Sequence, residues 1–146
     1  MALAERRADV TWQGNLAQGS GVVTSGSGAL SQLPVTWASR TERSDGKTSP
    51  EELIAAAHAA CYAMALSHTL TQAGTPPQQL HVNAVCALDR TDAGLKVSSM
   101  TLDVTGAVPG LDQAGFADAA GKAELGCPVS NALRNNVAIT VNAHLS

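Results

Sequence analysis

The chain has 146 residues, 45% of them apolar and only 14% charged, with a formal charge of −3. That length predicts one domain and is enough to bury most of its apolar surface. The few basic residues are scattered rather than striped, which argues against nucleic acid or an anionic membrane surface as a partner. With one Phe and one Tyr, the core must be built from Ala, Val, Leu, Ile and Met, which bury less area each than aromatic rings do. A dimer sharing one core would offset that deficit.

Residues 1–9 contain no apolar stretch of the kind that forms a secretory signal. Residues 6–13 and 20–24 read as short strands separated by Gly14 and Asn15, and residues 29–38 as a third extended segment with Arg40 at its end. Residues 41–48 form a polar loop with an Asp45-Gly46 turn signal. The helix that follows has an explicit start: Ser49 as N-cap, Pro50 at the first helical position, and Glu52 completing a Ser-x-x-Glu capping box. Glu51 adds negative charge at the positive end of the helix dipole. Leu53, Ala57, Cys61, Met64 and His68 recur on one helical face, and Gly74, Pro76 and Pro77 stop the helix. Because the remaining positions are mostly Ala, nearly the whole circumference is expected to be buried. Its apolar stretch, residues 53–66, reads as too short and too rich in Ala and His to span a bilayer. A cytoplasmic protein is the expectation. There thiols are held reduced, so three cysteines do not imply a structural disulfide.

Residues 80–89 alternate with Leu80, Val82, Ala84, Cys86 and Leu88 on one face. Asp92, Ala93 and Gly94 turn a hairpin into a second strand over 95–105. Residues 112–125 predict an Ala-rich helix ended by Gly126. Cys127 then takes the N-cap and Pro128 the first position of a short helix, and 136–145 close as a strand in which Val137, Ile139 and Val141 alternate. The order βββ-α-ββ-α-α-β is α+β with a mostly antiparallel sheet.

Sulfur chemistry needs a thiolate, and a thiol–disulfide cycle needs a second thiol within reach. Cys61 reads either as a small buried hydrophobe or as a nucleophile. A mid-helix position gains nothing from the dipole, so the second reading needs an outside cation, for which Arg40 is the leading candidate. At an N-cap, Cys127 would receive orphan backbone N–H groups, which favour the thiolate and make it a good leaving group. Cys86 reads as core. His58 shares a face with Cys61 and could in principle serve as its base, whereas His68, His81 and His144 have no evident partners. The spacings fit no zinc pattern, and nucleotide- or phosphate-binding glycine motifs are absent.

Two long segments, Thr48-Ser-Pro-Glu-Glu-Leu running on through Ala59-Ala-Cys-Tyr-Ala-Met, and Gly126-Cys-Pro-Val-Ser-Asn-Ala-Leu, resemble the OsmC/Ohr family, specifically its OsmC branch. The likeness extends to Val10-Thr-Trp-Gln-Gly, Ser39-Arg40 and Val108-Pro-Gly-Leu-Asp, and so to essentially the whole chain. It implies an α+β, OsmC-like fold in which antiparallel sheets wrap a central long helix, one domain over residues 1–146, assembled as an intertwined homodimer. It also implies a stress-response peroxidase that reduces organic hydroperoxides, and hydrogen peroxide less well, with a cellular dithiol as reductant and no cofactor. By motif, Cys61 matches the peroxidatic cysteine, Cys127 the resolving cysteine, Arg40 the arginine that stabilises the thiolate, and Glu51 the carboxylate that orients Arg40. Ten residues of helix rise roughly 15 Å, so Glu51 and Cys61 cannot both touch one arginine head along a straight helix. The expectation is that Glu51 or Arg40 reaches the cysteine from the two-fold mate. Two other readings stay open: a Cys61–His58 hydrolase or thioesterase, and a non-catalytic stress-binding dimer in which the cysteines merely pack.

Overall fold

Turn residues and hydroxyl caps set most of the element boundaries. The computed structural model describes residues 1–146, which fall into two compact units, Met1–Leu53 and Ile54–Ser146.

In the first unit, β1 (Ala8–Gln13), β2 (Ser20–Ser25) and β3 (Leu33–Val35) form an antiparallel sheet in that order. The third extended segment is much shorter than the sequence predicts. Arg40 lies not at a strand end but in a short helix, α1 (Trp37–Thr41). The cause is a Thr-x-x-Ser capping box: Thr36 Oγ1 accepts the Ser39 N–H at 3.0 Å, while Ser39 Oγ accepts the Thr36 N–H at 2.9 Å, turning the chain out of the extended region. The expected Asp45-Gly46 turn is present, with positive φ at both residues (47° and 77°) and a Lys47 N–H to Ser44 carbonyl bond of 2.9 Å.

The long helix α2 (Pro50–Gln72) begins at the predicted residue. Ser49 Oγ accepts the Glu52 N–H at 3.1 Å. The box is only half closed, because the Glu52 carboxylate takes the Thr48 hydroxyl at 2.9 Å instead of the cap amide. At the far end Gly74 (φ 84°) allows a Schellman termination, with Gly74 N–H to Thr71 carbonyl at 3.0 Å and Thr75 N–H to Leu70 carbonyl at 2.9 Å.

The inward stripe of α2 differs from the one the spacing predicts. His58, Tyr62, Leu66 and Leu70 are buried at intervals of four, while Ala57, Met64 and His68 are exposed. A helix this rich in Ala has little contrast between its faces, so the few large side chains decide which way it turns. At 23 residues, α2 is long and apolar enough to cross a membrane by length and composition, contrary to the expectation from residues 53–66.

The second unit holds β4 (Gln79–Thr91), β5 (Gly94–Ala107) and β6 (Ala138–Leu145) in the order β4-β5-β6. A two-residue turn, Asp92-Ala93, joins β4 to β5, which pair antiparallel with a bulge at Ala87/Leu88. β6 runs parallel to β5, a pairing that needs a crossover connection, here supplied by α3 (Gln113–Gly126) and α4 (Pro128–Leu133). Tyr62, Leu66 and Leu70 of α2, Met100, Leu102 and Val104 of β5, and Phe116 of α3 make a fully buried core. The lone Phe and lone Tyr both sit at its centre. Gly106 on β5 is what admits the Phe116 ring: a Cβ there would come within 2.6 Å of it.

Candidate active site

Two groups of predicted residues are each drawn together. In the first unit the capping box of α1 presents Arg40, and the start of α2 presents Glu51. The guanidinium meets the carboxylate through two nitrogens, Nε at 3.0 and 3.2 Å and Nη2 at 2.8 Å. Glu51 is nearly buried and Arg40 about one-third exposed, and the guanidinium carbon lies 6.0 Å from the Trp37 ring centroid. A planar fork held this way keeps a fixed direction. It also leaves Nη1 free to donate elsewhere. The same unit holds a cavity of about 430 Å³, lined by Arg40 together with Val10, Trp12, Leu16, Trp37 and Leu53: an apolar hollow with one cation in its wall.

In the second unit Cys61 of α2 and Cys127, the N-cap of α4, are both free thiols, with their sulfurs 3.4 Å apart. A disulfide bond is about 2.05 Å long, so a small side-chain movement would join them. The N-cap reading of Cys127 holds: its Sγ accepts the Ser130 N–H at 3.5 Å. The orphan amides at the start of α4 serve both sulfurs, because the backbone N–H of Val129 bonds to Cys61. That donor went unseen in the sequence, because the cap spacing of Cys-Pro-Val-Ser points only to the Ser130 amide at Cys127.

The Cys61 thiol is pushed above its ordinary value. Burial raises it, the Val129 N–H opposes that, and the hydrogen bond and charge of Cys127 raise it further. The sequence-based expectation was a lowered thiol, and within this environment nothing outweighs burial.

His58 is completely buried. Its Nε2 lies 2.7 Å from Ser130 Oγ, and its Nδ1 has no partner. The imidazole therefore engages Ser130, not Cys61. Burial lowers its pKa, partly countered by the charge of Glu124, so it is neutral at pH 7. Ser130, Glu124 and Arg134 are the residues that sequence reasoning missed. Arg134 Nη1 lies 3.0 Å from Glu124 Oε2, and its Nη2 donates to the Glu124 carbonyl at 3.1 Å, which ties the end of α4 to the end of α3. Cys86, expected in the core, is half-buried on β4 and packs against that core. His68, His81 and His144 are exposed.

Residues 43–142 match the family model described as OsmC-like protein. The chain is 40% identical over 134 residues to the peroxiredoxin OsmC of Escherichia coli strain K12, covering 92% of this chain and 93% of that protein. It is 30% identical over 95 residues to an organic hydroperoxide resistance protein of Xanthomonas axonopodis pv. citri, covering 64% and 65% of the two. Among solved structures, the organic hydroperoxide resistance protein OhrB of Bacillus subtilis superposes with a TM-score of 0.75 at 27% identity, covering 94% of this chain and 97% of that one. With near-complete coverage in both sequence and structure, this chain belongs to the OsmC-like protein family and has its fold.

Proposed function

We propose that the protein is a thiol peroxidase that reduces organic hydroperoxides to alcohols, and hydrogen peroxide less well. The observation that carries the reading is the pair of reduced sulfurs 3.4 Å apart on α2 and at the cap of α4. The names of the relatives support it: a peroxiredoxin, and proteins of organic hydroperoxide resistance. The Cys61 thiolate attacks the distal oxygen of the peroxide, the O–O bond breaks, and the alcohol leaves with a proton, giving a sulfenic acid. Cys127 attacks that sulfur, the S–O bond breaks, and the thiol proton leaves with the hydroxide as water. A cellular dithiol then reduces the disulfide.

Such a cycle requires a cation at Cys61 to overcome the effect of burial. We infer that Arg40, aimed by Glu51, supplies it to the cysteine of a second copy, its free Nη1 donating to the thiolate and to the leaving oxygen. The apolar cavity beside Arg40 would hold the hydrocarbon part of the peroxide and account for a preference for organic substrates.

Mass spectrometry after one equivalent of an alkyl hydroperoxide tests the reading. The expected result is loss of two hydrogens confined to the Cys61 and Cys127 peptides. Cys61→Ser should abolish turnover, and Cys127→Ser should allow about one turnover and then stall. Full activity in Cys61→Ser would overturn the mechanism. Ester hydrolysis without any added dithiol would instead favour a Cys–His hydrolase, a reading the engagement of His58 by Ser130 argues against.

A further inference from the structure

The two helices that carry the sulfurs are joined by a second rung. Cys61 meets Cys127, and three residues earlier on α2 and three later on α4 His58 meets Ser130. Both members of this second rung are fully buried, and the Ser130 backbone N–H bonds to the Cys127 sulfur. α4 has only six residues, too few to be stable alone, so its position depends on ties to its neighbours. Its far end is tied to α3 through Arg134 and Glu124, while Cys127 N–H meets the Glu124 carbonyl at 3.4 Å. Beside the sulfur pair itself, the His58–Ser130 bond is a side-chain tie from α4 to the helix bearing Cys61.

We propose that His58 and Ser130 are positioning residues for disulfide closure: the buried hydrogen bond between them holds α4 in the register that sets the Cys127 sulfur against Cys61. This rests on the peroxidase reading for its role in the cycle, and it deepens that reading by separating the second step from the first. The His58 ring acts through α4 and touches neither sulfur in its hydrogen bonding. Breaking the rung should therefore leave attack of Cys61 on peroxide nearly unchanged and slow the step in which Cys127 displaces hydroxide. Misplacement of reacting atoms by about 1 Å costs on the order of a hundredfold in rate, so a loosened helix should slow closure by about tenfold to a hundredfold.

The test uses the full-length reduced protein and two oxidants. One is tert-butyl hydroperoxide, which acts through the Cys61 sulfenic acid. The other is diamide, which takes the two thiol hydrogens onto its N=N bond and closes the disulfide without any peroxidase step. Quenched-flow mass spectrometry follows peroxide consumption, trapping of the sulfenic acid by dimedone, and disulfide formation. In Ser130→Ala, peroxide consumption in the first turnover should stay within about twofold of the unaltered protein, while the dimedone adduct increases and disulfide formation slows with both oxidants. The equilibrium of the disulfide with dithiothreitol should shift toward the dithiol. His58→Gln, which retains a hydrogen-bonding group at that position, should recover much of the closure rate that His58→Ala loses. Closure at the unaltered rate in Ser130→Ala with both oxidants would overturn the proposal, whether or not His58→Ala folds. An unaltered protein that closes with diamide but does not consume hydroperoxide would refute the peroxidase reading, and the diamide series would still decide the role of the rung.

Discussion

At Cys61 burial and the neighbouring sulfur raise the thiol, and a single backbone N–H from Val129 opposes them. A functional thiolate there therefore depends on charge brought to it. If Arg40 provides that charge, Arg40→Met should lower the second-order rate of Cys61 oxidation by about a hundredfold or more, the scale of losing a preorganised donor at a developing charge. Stopped-flow measurement with an alkyl hydroperoxide checks this. Alkylation of Cys61 followed against pH should show its midpoint moving upward in the same variant; an unmoved midpoint would remove Arg40 from the site. Glu51→Gln should have a smaller effect in the same direction, since it loosens the guanidinium without removing it. The two cysteines were legible in the sequence because each sits in a motif with its own local logic, whereas the pairing of Arg40 with Glu51 came from the family resemblance alone. Ser130, Glu124 and Arg134 were not legible, because their significance lies in which helix end each touches.

The elements carry predictions of stability. Leu66 is completely buried on α2, so Leu66→Ala should cost about 2–5 kcal/mol in urea unfolding. Gly106→Ala would place a methyl within 2.6 Å of the Phe116 ring and should cost about 1–3 kcal/mol through forced repacking of α3 on β5. Buried His58 has a lowered pKa in the folded chain. As pH falls below its ordinary value of 6.5, the unfolded chain takes up a proton that the folded chain refuses, so stability contributed above pH 6.5 is lost as pH falls toward the folded value. His58→Gln should flatten that part of the stability–pH curve relative to the unaltered protein; an unchanged slope would show that His58 is not its source. The caps of α2 and α4 were readable as Ser49 and Cys127, since an N-cap is a contact within four residues. The inward stripe of α2 was not, because alanines surround it on every side.

At the scale of the molecule, α2 leaves an apolar face exposed, with Met64 at 69% of full exposure. The aromatic-poor composition and the need for a cation at Cys61 both point to a second copy. Sedimentation at micromolar concentration should give twice the 14.9 kDa chain mass, and Arg40→Met mixed with Cys61→Ser should recover part of the activity each lacks. Recovery follows if the two residues act across protomers, because a mixed dimer then contains one intact site, and failure of the mixture to recover any activity despite subunit exchange would place them in one chain.

By itself, the sequence determined the order of every element except α1, the caps of α2 and α4, the hairpin and the family, since each is written in short-range spacing and in long motifs. It misplaced Arg40 on a strand and Ala57, Met64 and His68 on the inward stripe of their helix, and it set His58 beside Cys61 where the structure pairs it with Ser130. The capping box that places Arg40 is a local contact between Thr36 and Ser39, and only the other two were decided by tertiary structure. The burial of the Tyr62 ring and the hydrogen bond between residues 58 and 130 act through packing, and packing is fixed only when distant segments meet.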